Sequence, residues 1–168
     1  FDDFLGGAPQ AEVVPIRIAN SVIHFSSNTM AEGIEYAVTL GCRVISISMG
    51  GVPSRRWAHA VNAAYEAGAG IFAAAGNNIG DGLPTRKTVW PARFNRVVGV
   101  CGATADKGPY FKRGFHGMQG NFGPEEKMHT AIAAYTPNAP WAVMGCRDVV
   151  SMNGGGTSAA TPQVAAEA

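Results

Sequence analysis

The residue with the clearest chemical potential is Ser158, which follows a run of glycines near the carboxyl end of the chain. The glycines end at Gly156, and an alanine-rich stretch with the composition of a helix begins at Thr157. The first N–H groups of a helix have no acceptor within it and form the positive end of its dipole, so they favour an anion. Ser158 is therefore placed to act as a nucleophile beside an amide that stabilises the charge its attack creates. An ordinary serine N-cap is the alternative, and Pro162 counts against it, because a proline near the first turn costs a helix hydrogen bond.

A second candidate is Asn77, which follows Gly76 at the end of a strand-like run of small residues. Its carboxamide N–H₂ group can donate a hydrogen bond over the end of that strand. Gly-Asn is also a common turn dipeptide, so this pair alone indicates no more than a turn. Residues 48–50 end another core strand, and alone they are equally unspecific. Their value as candidates depends on whether the fold brings them to Ser158.

Strand-like and helix-like patterns alternate along the first hundred residues, and this order predicts how the candidates are positioned. Two helices, capped at Thr29 and Ser54 and stopped at Gly41 and Gly68, separate strand-like runs. The predicted strands are residues 13–18, 44–49, 71–75 and 97–101. Such βαβ units form a parallel sheet with helices on both faces. Because ligands bind beyond the carboxyl ends of these strands, both glycine-containing strand ends are expected at the same edge.

Beyond about residue 104 the pattern weakens, because glycines and prolines divide the chain into turns. Only short strands are predicted there, at residues 110–111 and 128–132, before the final helix that begins at Thr157. That helix reaches the last residue without a capping signal.

Composition excludes several classes of protein. The chain has 168 residues, which is the length of one domain. It carries 13 Lys and Arg against 12 Asp and Glu, so it lacks the excess of basic residues that binds nucleic acid. No apolar run reaches the ~20 residues that cross a bilayer. No glycine-rich phosphate-binding motif follows the first strand, which argues against a nucleotide-binding domain. Three cysteines, Cys42, Cys101 and Cys146, fit neither a disulfide framework nor a zinc site and are expected to be small buried apolar side chains.

Taken together, these segments resemble, in order and spacing, the subtilisin-like serine proteases, the subtilase or peptidase S8 family. Residues 156–165, GTSAATPQVA, resemble the nucleophile motif of that family, and residues 73–77 resemble its oxyanion-hole segment. Residues 48–51 are similar to its substrate-binding strand end. Residues 7–11 and the pair Trp90-Pro91 resemble two further segments, the second of which implies a cis peptide bond. The resemblance runs from about residue 6 to the last residue, and it implies a three-layer αβα fold with a mostly parallel central sheet.

The resemblance implies a role for each candidate. Ser158 would be the nucleophile that forms an acyl-enzyme, and the Asn77 side chain with the Ser158 N–H would hold the oxyanion. Two walls would enclose the residue before the scissile bond: a first wall of Ser48, Met49 and Gly50, and a second wall of Ala74, Ala75 and Gly76. An extended peptide or protein substrate would pair with the first wall as an added strand. The small residues of the second wall are expected to leave room for a sizeable apolar side chain.

The chain departs from the family at the general base. A serine nucleophile needs a base, and the base needs an orienting carboxylate. In the family, both precede the Gly-Ala-Pro turn, yet only five residues precede Gly6 and none is histidine. The histidines of the chain match no family position and are expected to be surface or structural residues: His24, His59, His116 and His129.

The sequence therefore predicts that residues 1–168 form a partial subtilisin-like domain, incomplete at both ends. Alone, this piece is expected to be inactive or nearly so, because the base and the orienting acid would lie upstream. Uncovered sheet edges and helix faces also predict self-association or marginal stability.

Two functions remain open at this point: a serine endopeptidase, and a non-catalytic protease-like domain that binds extended peptides. The presence of both Ser158 and Asn77 favours the enzyme, because a binding domain needs no anion-stabilising amide beside a nucleophile. The resemblance implies no required cofactor, possible calcium binding with unknown ligands, and a secreted or cell-surface location. No metal ligand can be assigned from the sequence.

Overall fold

The computed structural model describes residues 6–20, 23–24, 27–79, 87–112, 118–142, 145 and 150–168. Its helices are α1 (Ser27–Thr39), α2 (Arg55–Glu66), α3 (Glu125–Met128) and α4 (Thr157–Ala166). Its strands are β1 (Ile23–His24), β2 (Val44–Ile47), β3 (Gly50–Gly51), β4 (Gly70–Ala74), β5 (Asn77–Ile79), β6 (Val98–Ala103), β7 (Phe111–Lys112), β8 (Met118–Gly120), β9 (Ala131–Tyr135), β10 (Ala139–Ala142) and β11 (Val150–Gly154).

The central sheet has four parallel strands in the order β2, β4, β6, β9. Ile47 is in register with Ala73, so the carboxyl ends of β2 and β4 lie side by side. Alternate residues of β4 face opposite sides of the sheet: Ile71 and Ala73 join the core formed with α1 and α2, whereas Phe72 packs against the core formed with α4. The predicted three-layer α/β fold with a mostly parallel sheet is confirmed.

Three smaller sheets surround the carboxyl edge of the central one. β1 pairs with β3 in parallel, β8 pairs antiparallel with β5 and β7, and β10 pairs antiparallel with β11. β5 begins at Asn77, and β11 ends shortly before α4, so these sheets lead into the segments that carry the candidate side chains.

The helices α1 and α2 follow their local sequence signals. The Ser54 Oγ accepts the Trp57 N–H at 3.2 Å and caps α2, as predicted. Both helices end at a glycine with φ +79°, Gly41 and Gly68, in the 6→1 and 5→2 hydrogen-bond pattern of a Schellman motif. The predicted cap at Thr29 is wrong, because α1 begins two residues earlier.

The predicted strand at residues 13–18 is also wrong, because this segment is assigned to no sheet. Its side chains nevertheless pack: a Cβ on Gly33 of α1 would lie 2.6 Å from the Ile18 Cγ2 and 3.7 Å from the Ile16 Cγ2. Val13 is 80% exposed. The β-favouring side chains of residues 13–18 are therefore partly buried against α1, and the segment does not pair with a neighbouring strand.

The strand predicted at residues 128–132 starts later than expected. Met128 ends the short helix α3, His129 follows as its C-cap, and β9 begins at Ala131. Gly50 and Gly51, expected only to stop a strand, form β3. The cis peptide bond predicted at Trp90-Pro91 is confirmed, and Gly123-Pro124 is cis as well.

Lys127 is the buried cation of this region, with 6% of its surface exposed. Its Nζ donates to the Phe94 carbonyl at 2.6 Å, the Val97 carbonyl at 3.3 Å and the Thr130 hydroxyl at 2.7 Å. Burial lowers the pKa of this ammonium, while three acceptors satisfy its three donors. The side chain thereby ties α3 to the segment that precedes β6.

Candidate active site

Asn77 and the start of α4 meet at the carboxyl edge of the central sheet. The Thr157 N–H donates to the Asn77 Oδ1 at 2.9 Å. In return, the Gly76 N–H donates to the Thr157 Oγ1 at 3.0 Å. Two segments about eighty residues apart in the chain are thus joined by reciprocal hydrogen bonds immediately beside Ser158.

Gly156 is the residue that lets these groups approach so closely. Its φ is +74°, a left-handed value that side chains disfavour. A Cβ there would lie 2.9 Å from the Asn77 Oδ1 and 3.0 Å from its Nδ2. The Gly156 carbonyl accepts a hydrogen bond from the buried Thr136 hydroxyl, which fixes the turn into α4. A glycine is required at position 156 because of both the left-handed φ and the close approach of Asn77.

Within the described part of the chain, two donors beside Ser158 have no hydrogen-bond acceptor. The Ala159 N–H donates to the Gly156 carbonyl at 3.1 Å, and the Thr157 N–H is bound by Asn77. The Ser158 N–H between them has no acceptor among the described residues. The Asn77 Oδ1 is engaged, and the N–H₂ group at the other end of the carboxamide has no acceptor among the described residues. The sequence predicts these two groups as a donor pair for an oxyanion.

The Ser158 side chain is exposed and lies against the first wall. Its Oγ donates to the Ser48 carbonyl at 3.4 Å, a long hydrogen bond, and the Ser48 Oγ donates to the Ser158 carbonyl at 2.9 Å. The first wall is thereby attached to α4. Gly50 belongs to β3 and pairs with Ile23, so Ser48 and Met49 are the wall residues outside that pairing.

The second wall continues β4 and carries little accessible side chain. Ala74 is 3% exposed and Ala75 is fully buried, so contact with a ligand would come mainly from main-chain atoms of this wall. The Ala75 carbonyl accepts the Val89 N–H at 2.9 Å. Sequence reasoning missed Val89, which lies beside both walls: a Cβ on Gly50 or on Gly76 would lie 2.9 Å from a Val89 methyl group.

A cleft of about 870 Å³ opens on the other side of Ser158. α4 contributes Ser158, Ala159 and Gln163 to it, and the β10–β11 hairpin contributes Trp141. Trp141 is 59% exposed, and its indole N–H donates to the Asn153 Oδ1 at 2.8 Å.

The described histidines are not placed at the nucleophile. His59 lies on α2 and His129 follows α3; both are exposed, and neither lines the cleft beside Ser158. His24 lies in β1, but its side chain is outside the described part of the structure, as is the whole of His116. The described residues therefore place no imidazole beside Ser158.

The predicted burial is confirmed for Cys101, whereas Cys42 is only partly buried because it follows the exposed turn after α1. Cys42 and Cys101 are free thiols, while Cys146 lies outside the described residues. Burial in β6 raises the pKa of the Cys101 thiol to about 11. Across the described residues, no group of three or more His, Cys, Asp or Glu side chains could hold a metal ion. Among the same residues, each helix is too short or too polar to cross a membrane.

A three-layer α/β fold with a serine and a carboxamide at one sheet edge is the combination expected of a subtilisin-like serine protease. The model of the subtilase family, peptidase S8, matches residues 2–168, and the chain belongs to that family. The sequence motifs of the chain predicted that it belongs to this family.

Individual proteins agree with the family match. The chain is 35% identical to subtilisin DY of Bacillus licheniformis over 106 residues, which cover 61% of this chain and 38% of that protein. It is 32% identical to a thermostable alkaline protease of Halalkalibacterium halodurans over 162 residues, 96% of this chain and 40% of that protein. The solved structure of the prenylagaramide maturation protease PagA is 25% identical, with a TM-score of 0.74 over 96% of this chain and 55% of that one. The chain thus spans about 40% of the length of these two curated relatives.

Proposed function

We propose that this chain supplies the nucleophile, the oxyanion-binding groups and the substrate-binding walls of a serine endopeptidase. The observation that supports this most directly is the 2.9 Å hydrogen bond from the Thr157 N–H to the Asn77 Oδ1. This bond fixes the Oδ1 end of the carboxamide, and in the proposal the N–H₂ end donates to the oxyanion together with the Ser158 N–H. Peptides or proteins are the proposed substrates.

The proposed reaction proceeds through an ester on Ser158. Its Oγ attacks the carbonyl carbon of the scissile bond, and the carbonyl oxygen takes up negative charge. The Asn77 N–H₂ and the Ser158 N–H donate to that oxygen without rearranging. Collapse of the tetrahedral intermediate breaks the C–N bond, and the amine leaves with the proton that the general base took from Ser158. Water, deprotonated by the same base, then hydrolyses the acyl-enzyme, and the proton returns to Ser158.

The proton of the Ser158 hydroxyl needs an acceptor stronger than the Ser48 carbonyl that it now contacts. A general base oriented by a carboxylate supplies this in serine proteases. None of the four histidines matches the family position of the base, and no imidazole among the described residues lies at the site, so we propose that the base and its orienting acid come from outside these 168 residues. The chain alone is then inactive or nearly so.

The substrate is proposed to bind as an extended strand along the first wall. The Ser48 side chain holds that wall against α4 through the Ser158 carbonyl, so the wall and the nucleophile are positioned as a unit. Main-chain groups in this geometry bind peptides with little dependence on sequence.

A fluorophosphonate probe tests the proposal. With the full-length gene product, we expect covalent labelling of the peptide that contains Ser158, and loss of labelling in Ser158→Ala. Ser54→Ala, which removes only the α2 cap, should still be labelled. The isolated chain of 168 residues should react far more slowly than the full-length protein. Equal labelling of the wild type and Ser158→Ala would contradict the proposal, and a folded full-length protein that binds peptides without being labelled would support the non-catalytic alternative.

The secreted or cell-surface location, and the calcium binding implied by the family resemblance, stay predictions. No metal ligand is assigned in the described residues.

A further inference from the structure

We propose that Val89 fills the space between the two walls and restricts the residue before the scissile bond to a small side chain, such as that of glycine, alanine or serine. The inference rests on the proposed endopeptidase function, and it names the substrate class of that same site. It replaces the expectation of room for a sizeable apolar side chain, which considered the walls alone.

The first step is the position of the Val89 side chain. The nearest atom to a Cβ built on Gly50, in the first wall, is a Val89 methyl carbon at 2.9 Å. Both Val89 methyl carbons lie 2.9 Å from a Cβ built on Gly76, in the second wall. One branched side chain therefore contacts both walls and occupies the volume between them.

The second step is the immobility of this side chain. The Val89 N–H donates to the Ala75 carbonyl at 2.9 Å, and the Val89 carbonyl accepts the Arg93 N–H at 3.1 Å. The next residue, Trp90, accepts the Gly51 N–H at 3.1 Å. The backbone around Val89 is thus bonded to Ala75 of the second wall and to Gly51, which follows the first wall. The Val89 backbone cannot move aside for a large substrate group without breaking these bonds, and its β-branched side chain has few alternative rotamers.

The third step is the packing of the described residues next to Val89. Thr88 is buried, and its N–H and hydroxyl both bind the Gly123 carbonyl at 3.0 Å. The Asn121 side chain, 2% exposed, also lies against Gly76, with its Nδ2 3.0 Å from the position of a Cβ there. The described neighbours of Val89 are therefore packed, and we infer that the space for a substrate side chain ends at the Val89 methyl groups.

The test compares peptides that differ only in the residue before the scissile bond, alanine or phenylalanine, using the full-length protein. We expect wild type to have the higher kcat/KM for alanine. In Val89→Gly, the ratio of the two kcat/KM values should move toward phenylalanine by roughly 10–200-fold, the range for changes of pocket volume. Val89→Ala should shift it in the same direction by less. Val13→Gly, the same change at a residue that is 80% exposed, should leave the ratio at its wild-type value.

Two results would overturn the inference while leaving the proposed function intact. The first is a wild type that cleaves the phenylalanine peptide as well as the alanine peptide. The second is a Val89→Gly variant that retains fluorophosphonate labelling of Ser158 but shows no change in the ratio. A protein that neither cleaves nor labels Ser158 fails the proposed function itself, and the inference falls with it.

Discussion

Asn77 has two tasks at opposite ends of one carboxamide. Its Oδ1 accepts the Thr157 N–H and so holds α4 against the end of β4, while its N–H₂ is proposed to bind the oxyanion. A substitution that keeps the first task and removes the second separates structure from catalysis.

Asn77→Asp is that substitution. A carboxylate oxygen still accepts the Thr157 N–H, but the side chain has no donor and repels a developing anion. We expect turnover of the full-length protein to fall by at least ~10²–10³, the range established for the equivalent amide in subtilisin and carried over from that relative. The melting temperature should fall more in Asn77→Ala than in Asn77→Asp, because only alanine loses the bond to Thr157. Kinetics and thermal melts of both variants check this, and wild-type turnover in Asn77→Asp would exclude Asn77 from oxyanion binding.

The sequence predicted some residues of the site and missed others for a physical reason. Ser158 and Asn77 stand in segments whose local chemistry is informative, a glycine-to-helix entry and a strand end. Thr136 and Val89 act through contacts with residues distant in the chain, at Gly156 and Gly76. Nothing in their own surroundings in the sequence indicates which backbone they will meet.

At the scale of elements, the same distinction separates the correct predictions from the wrong ones. α1 and α2 could be predicted because apolar spacing and the glycines that follow each helix are local signals, although the cap was predicted correctly only for α2. Residues 13–18 have strand composition, but a strand exists only through a partner, and the segment packs on α1 instead. β5 and β8 contain few β-favouring residues and are defined by their mutual pairing.

β6 contains a titratable group that should make stability depend on pH. Burial raises the pKa of the Cys101 thiol from 9.0 to about 11. Between these values the folded protein binds more protons than the unfolded chain, so the free energy of unfolding falls as the pH rises through this window. Full ionisation costs roughly 2–3 kcal/mol. Urea unfolding at pH 8 and pH 10.5 should show a smaller decrease in Cys101→Ala than in wild type.

Cys42→Ala is the matched control for this experiment. Cys42 is only partly buried, so this variant should keep the wild-type pH dependence. An unchanged pH dependence in Cys101→Ala, or its loss in Cys42→Ala, would show that burial of Cys101 does not produce the effect.

At the scale of the whole molecule, the described part of the central sheet ends at two unpaired edges, β2 and β9. On β9, Ile132 is 49% exposed and Tyr135 is 50% exposed. Exposed apolar side chains on an unpaired strand are a template for association with another chain.

We therefore expect the isolated chain to self-associate. Sedimentation velocity should give a weight-average mass above 17.5 kDa that rises with concentration. Ile132→Lys should shift the distribution toward the monomer, because a charge on an edge strand opposes pairing. Val52→Lys, at a residue that is 58% exposed outside the sheet edges, should have less effect. A single 17.5 kDa species at every concentration would refute the expectation.

The arrangement around Lys127 has a consequence for how the segment before β6 responds to its surroundings. Two carbonyls and a hydroxyl converge there, much as oxygens gather around a dissolved potassium ion. The positive charge at their centre is covalently part of the chain, so desalting or a chelator cannot remove it. The segment before β6 therefore keeps its cation in any buffer that leaves the amine protonated.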